Sequence, residues 1–84
     1  MQRYFFHVRN DVGHASDEEG VELADLNAAC AKARRAAADI VAEEVAGDRD
    51  SIHLEIMVDD AGGRRVAALT VSATISLSVS SLIG

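Results

Sequence analysis

The hydrophobic positions of this 84-residue chain change their spacing twice, and each change predicts a new element. From Arg3 to Arg9 apolar and polar residues alternate, with Tyr4, Phe6 and Val8 on one side. This period of two predicts a strand with one buried face. From Asp25 to Gly47 the apolar spacing becomes three and four, which predicts a single long amphipathic helix. Its apolar stripe comprises Leu26, Ala29, Cys30, Ala33, Ala37, Ile40, Val41 and Val45.

The predicted helix has recognisable ends and a stripe of small residues. Asp25 is expected to cap the first turn, and Gly47 is expected to end the helix in a left-handed conformation. Because the first half of the stripe consists mostly of small residues, the helix can approach its sheet closely, with Tyr4 and Phe6 filling the space beneath it. Cys30 falls on the stripe and is predicted to be a buried, inert thiol.

The segment between the first strand and the helix is polar and acidic. The residues from Asn10 to Gly13 predict a tight turn, and those from His14 to Gly20 are mostly polar. Val21 to Leu23 is too short to predict a strand by itself. We expect a hairpin with a short or irregular return strand, followed by an acidic loop that leads into the helix.

Alternation returns after the helix and continues to the end of the chain. Residues 52–59 predict a strand. The segment from Asp59 to Gly63, which overlaps the end of that strand, predicts a hairpin loop in which glycine supplies positive φ. Arg64 and Arg65 then stand opposite the aspartates of that loop. From Val66 onward no residue is charged, and apolar residues occupy the odd positions from Leu69 to Val79.

These elements predict an α+β fold in two layers, with an antiparallel sheet in β-β-α-β-β order and one long amphipathic helix on one face. The shorter partner strand allows pairing of the last strand only to about Ala73. We therefore predict a single domain over residues 1–73 and a tail over residues 74–84. The tail is an aggregation hazard if left free, so it extends a strand, reaches another subunit as an arm, or is disordered.

Composition narrows the classes of function. The net charge of −6 argues against non-specific binding to nucleic acid or to an anionic membrane. One cysteine excludes an intrachain disulfide and suits a reducing compartment. Neither a signal peptide nor an apolar run long enough to span a membrane is apparent. We expect a cytoplasmic protein.

Candidate chemistry is sparse. His7 and His53 share the outward sides of their strands and, with Asp17 or Glu18, are weak candidates for a metal site, although no zinc-like spacing is present. The acidic loop is a weak candidate for acid–base catalysis. We predict no catalytic residue, no cofactor and no enzyme activity.

Three segments carry a resemblance to a known family. The chain resembles a family of short bacterial proteins of unassigned activity in the segments RYFFHVR, DEEGVELADL and AACAKARRAA. Members of that family carry the patterns R-Y-F-F-H-x-R and D-x-x-G-x-x-L-x-D-L-x-x-A. The resemblance runs from Gln2 to Val71 and implies no catalytic residues. Family members tend to stop soon after this point, so the serine-rich tail departs from the pattern. A more distant similarity is to antitoxin-type modules with a β-β-α-β arrangement.

The sequence therefore favours a protein–protein interaction module that self-associates, with a homodimer as the expected form. The predicted interface residues are Phe5, Val71, Ala73, Ile75, Leu77 and Val79. Two alternatives stay open. One is an antitoxin-like regulator that binds a toxin partner, and the other is a small metal- or ligand-binding protein that uses His7, His53 and the acidic loop.

Overall fold

The computed structural model describes residues 1–80, which form five strands and one helix. The elements are β1 (Gln2–Asn10), β2 (His14–Ala15), β3 (Val21–Leu23), α1 (Leu26–Ala46), β4 (Ser51–Asp59) and β5 (Arg65–Thr74). All strand pairs are antiparallel, and the helix packs against the sheet. The predicted α+β class with two layers is confirmed.

The three long strands lie side by side in the order β1, β4 and β5, and β1 has two short strands along its outer side. The sheet order is β2-β1-β4-β5, and β3 pairs with the beginning of β1. The short return strand after the first turn is confirmed as β2. The predicted β-β-α-β-β order lacks β3, which forms a strand because Tyr4, Arg3 and Gln2 supply a pairing partner for all three of its residues.

The core lies between the middle of α1 and the helix-facing side of the sheet. Ala29, Ala33 and Ala37 are buried, and Tyr4 is 3% exposed among them. The outer parts of the predicted stripe differ from expectation. Leu26 and Val45, near the two ends of the helix, are 41% and 42% exposed, and Cys30 is half-buried.

The helix begins as predicted and ends differently. The Asp25 carboxylate accepts a hydrogen bond from the Ala28 N–H at 2.9 Å, which confirms the N-cap. Gly47 has φ −87°, and the left-handed residue is Asp48 at φ 65°. The prediction for Gly47 is therefore wrong by one position. Aspartate tolerates this conformation better than most residues that carry a side chain.

The hairpin between β4 and β5 follows the predicted turn chemistry. Gly63 has φ +81°, and the Asp60 side chain accepts from the N–H groups of Gly62 and Arg64. The expected cross-strand charge pair forms between Arg65 Nε and Asp59 Oδ1 at 3.0 Å. Pairing between β4 and β5 continues to Ser51 and Thr74, one residue beyond the expected limit. Of the predicted tail, residues 81–84 lie outside the described residues.

Candidate functional site

The outer side of β1 is covered by the Asp17 loop, which we define as residues 16–20. The Asp17 carboxylate accepts from the Phe6 N–H through Oδ2 and from the N–H groups of Glu19 and Gly20 through Oδ1, at 3.0–3.1 Å. Arg3 donates from Nη1 to the Glu19 carbonyl at 2.8 Å. One carboxylate therefore satisfies a free donor of β1 and closes its own loop.

These hydrogen bonds change the acidity of Asp17. Donation from Gly20 N–H, and then from Phe6 N–H, stabilises the ionised carboxylate and lowers its pKa below the ordinary value, and Glu19 N–H and nearby His7 add to the effect. Partial burial acts in the opposite direction and is the weaker influence. Asp17 is thus held as an anion by the backbone around it, which is typical of a structural carboxylate.

His7 joins the same loop to β4. Its Nδ1 accepts from the Asp17 N–H at 3.1 Å, and its Nε2 lies 3.2 Å from Asp59 Oδ2. Because Nδ1 is an acceptor here, the proton of the neutral ring is at Nε2 and points toward Asp59. Both ring nitrogens have partners inside the protein. This geometry assigns His7 a structural role and leaves neither nitrogen directed at a ligand.

Gly20 permits the loop to lie directly on β1. It has φ +70°, and a Cβ at this position would lie 2.9 Å from both the Tyr4 carbonyl oxygen and Cε2 of the Phe5 ring. Both a left-handed conformation and the absence of a side chain are therefore required here. Phe5 is half-buried, with its ring against this glycine. The predicted intersubunit contact of Phe5 stays a prediction.

The weak metal candidates do not come together. His7 is opposite Met57, whereas His53 is opposite Ser72, so the register separates the two histidines by roughly 13 Å along the sheet. Asp17 reaches His7 through its backbone N–H, and Glu18 is exposed. Within residues 1–80 no group of three or more His, Cys, Asp or Glu side chains is arranged to hold a metal ion.

The opposite edge of the sheet is β5, and its outer side is open. No strand among the described residues pairs with that side of β5. The Ile75 N–H donates to the Asp50 carbonyl at 2.7 Å, which fixes the direction of the strand's backbone groups. Since these groups alternate along a strand, the odd residues from Ala67 to Ile75 bond to β4. The N–H and C=O groups of the even residues point outward, namely those of Ala68, Thr70, Ser72 and Thr74.

An apolar groove runs beside this open edge, between α1 and β5. Its larger part has a volume of about 590 Å³ and is lined on one side by Ala38, Val41 and the charged Arg34 of the helix and on the other by Leu69 and Val71. A second part of about 300 Å³ lies beside Cys30, Ala33 and Ala67. Leu69 and Val71 are only half-buried because the helix covers β5 incompletely. We call this surface the α1/β5 groove.

The remaining interface candidates lie along β5 and its continuation. Val71, Ala73 and Ile75 are half-buried on the helix-facing side, and Leu77 and Val79 are each 87% exposed. Sequence reasoning missed Thr70 and Ser72, whose outward N–H groups make the edge available. Their side chains give no apolar signal, and the alternation in the sequence does not tell which backbone groups face outward.

The structure defines a small two-layer α+β domain with one sheet edge closed by a hydrogen-bonded loop and the other edge open. The chain belongs to the family described as domain of unknown function DUF6894, whose model matches residues 3–72. No curated protein and no solved structure matches the chain. Among the described residues, no helix has the length and apolar character needed to cross a membrane.

Proposed function

We propose that this protein is a non-enzymatic protein–protein interaction module that self-associates through β5. A second copy pairs its own β5 with the open edge in antiparallel orientation and extends the sheet across both subunits. The observation that carries the proposal is the long outer side of β5, which the described chain leaves without a partner strand.

The chemistry of the edge favours pairing. Unpaired N–H and C=O groups on an edge strand are a template for another strand, and soluble proteins usually block them with charge, proline or a bulge. From Val66 to the end of the chain no charged residue or proline is present. The bulge lies at the other end, next to Asp59 and Arg65. The stretch from Ala67 to Thr74 is thus regular and unprotected.

The α1/β5 groove supports the same partner. A strand added to β5 lies directly beside Leu69 and Val71, and its helix-facing side chains enter the groove. Pairing would therefore bury apolar surface and satisfy backbone donors along one element. A two-fold arrangement closes after two copies, because the same strand serves as donor and acceptor surface in each. The proposed form is accordingly a homodimer.

The hydrogen-bonded cluster at the closed edge supports a non-enzymatic role. The oxygens of Asp17 accept from three backbone N–H groups, and His7 uses both ring nitrogens within the protein. The two other functions indicated by the sequence, an antitoxin-like regulator and a metal- or ligand-binding protein, stay predictions. No contact among the described residues favours either of them.

We place the protein in the cytoplasm. This location is supported by the free thiol of Cys30, which is compatible with a reducing compartment.

Light scattering across a concentration series tests self-association, with Thr70→Pro as the decisive variant. The Thr70 N–H points outward, so proline removes a donor of the free edge and leaves the β4–β5 bonds in place. We expect the wild type to be dimeric at high micromolar concentration and Thr70→Pro to be monomeric with an unchanged circular dichroism spectrum.

Two matched variants control this experiment. Thr70→Val removes the hydroxyl and keeps the N–H, so it should remain dimeric. Val71→Pro removes an N–H that bonds to β4, so it should unfold and show that the backbone direction is assigned correctly. A wild-type protein that is monomeric at every concentration would contradict the proposed function.

A further inference from the structure

We infer that the two copies pair with Ser72 on the two-fold axis, so that the segment from Ile75 to Val79 becomes a strand against the partner's β5. This inference rests on the proposed function and adds the register and the role of the segment. In this register residues whose numbers add up to 144 face each other across the interface.

The backbone restricts the registers that two β5 strands can adopt. In an antiparallel pair, hydrogen bonds form only where outward-facing groups of both strands meet. The outward groups belong to Ala68, Thr70, Ser72 and Thr74, so even residues must lie opposite even residues. The two-fold axis must therefore lie at a residue position of the strand and not between two residues. Ser72 is one such position, and Val71 and Ala73 are the immediate neighbours.

Packing on the helix-facing side distinguishes these choices. With the axis at Ser72, Ala67 lies opposite Leu77, Leu69 opposite Ile75, and Val71 opposite Ala73. Each alanine then faces a larger side chain. Leu77 arrives beside Ala67, at the part of the α1/β5 groove that measures about 300 Å³. Ile75 arrives beside Leu69, where the larger part of the groove lies.

The neighbouring registers pack less well. An axis at Ala73 places two alanines against each other at the centre and leaves a gap there. An axis at Val71 places Leu77 opposite Arg65, at the bulge where Arg65 pairs with Asp59. The axis at Ser72 instead places Leu77, which is 87% exposed in one copy, against Ala67 and leaves only Val79, at the end of the paired segment, opposite Arg65.

Disulfide formation between engineered cysteines tests this register in a Cys30→Ala background. Facing residues that exchange both hydrogen bonds have Cα atoms about 5.5 Å apart, which a disulfide can bridge. If the axis shifts by one residue, the Cα atoms of the two copies of that residue lie roughly 8 Å apart, which is beyond the usual span of a disulfide. Ser72→Cys should therefore form a covalent dimer on oxidation, and Val71→Cys and Ala73→Cys should form little.

A mixing experiment supplies an independent readout. In this register Thr70 of one subunit faces Thr74 of the other, and neither residue faces the same residue of the second subunit. Thr70→Cys and Thr74→Cys should each remain monomeric on non-reducing gels, whereas their mixture should give the hetero-disulfide. Dimers in light scattering that cross-link at Val71 or Ala73 would overturn the register and leave self-association intact. A monomer in light scattering would overturn both.

Discussion

The two edges of this sheet are built from different chemistry. At the edge of β1, a carboxylate, an imidazole and a glycine hold the Asp17 loop against the strand, with β2 and β3 on either side. At the edge of β5, a strand that is uncharged from Val66 onward lies open beside the α1/β5 groove. Polar side chains can therefore cap an edge strand in place of another strand.

The difference also separates residues that support the fold from residues that are available to a partner. The motif positions Arg3, His7, Asp17 and Gly20 all act within the closed edge. Their hydrogen bonds and close contacts are used inside the protein, whereas our proposal assigns contact with a partner to residues of β5. Substitutions at the two edges should therefore have different consequences, with stability affected at one and association at the other.

Among the substitutions outside β5, Gly20→Ala should have the largest effect on stability. The new Cβ combines a left-handed conformation with a clash against the Tyr4 carbonyl, so the free energy of unfolding should fall by about 2–5 kcal/mol. Gly63→Ala is the matched control, because φ is +81° there and nothing lies within 4 Å. It should lose about 1–2 kcal/mol in urea titrations. Equal losses for the two variants would show that the loop does not press on β1.

Ala33→Leu and Ala38→Leu compare the covered side of α1 with the side that lines the groove. Ala33 is 2% exposed in the core, so leucine should overpack it and cost about 1–3 kcal/mol. Ala38 lines the α1/β5 groove and is exposed, so leucine there should be tolerated in thermal unfolding. A neutral Ala33→Leu variant would mean that the alanine stripe is not the packing surface.

Asp17→Asn should cost about 1–2 kcal/mol near neutral pH, because the backbone donors then face an amide with one acceptor oxygen. The lowered pKa of Asp17 makes this cost depend on pH. The stabilisation is fully present above the ordinary carboxyl pKa of about 4 and is lost as pH falls through the lower folded value. The stabilities of wild type and Asp17→Asn should therefore converge in acid. Convergence above pH 5 would contradict the assignment.

Leu77→Asp should have the smallest effect on stability and a clear effect on association. Leu77 is 87% exposed, so the monomer's free energy of unfolding should change by less than about 0.5 kcal/mol. A carboxylate in the paired segment should weaken the dimer in sedimentation velocity experiments. Val12→Asp is the control, since Val12 is 80% exposed in the turn after β1. Equal dimer affinity for both variants would place the interface elsewhere.

Local patterns predicted most of the fold because period and turn chemistry are local properties. The helix, its Asp25 cap, the β4–β5 hairpin and the Asp59–Arg65 pair all follow from residues that are near in sequence. The pairing of β3 was missed, because three residues form a strand only when Gln2, Arg3 and Tyr4 lie beside them. The left-handed Asp48 was missed because glycine at the preceding position is the usual choice.

The candidate site depended on register, which the sequence leaves open. Whether His7 and His53 meet is decided by which residue of β4 lies opposite His7, and that residue is Met57. The sequence predicted an acidic loop that leads into the helix. The folding of Asp17 back onto the Phe6 N–H could not be predicted, because it depends on the three-dimensional position of β1. Likewise, the alternation of β5 predicted its apolar face and could not tell which N–H groups point outward.

Amide hydrogen exchange at several protein concentrations tests the difference between the two edges most directly. The Phe6 N–H, bonded to Asp17, and the Val71 N–H, directed at β4, should be protected at all concentrations. The N–H groups of Thr70 and Ser72 should exchange rapidly in dilute protein and become protected as concentration rises. Rapid exchange of Thr70 and Ser72 at every concentration would contradict the open, self-pairing edge.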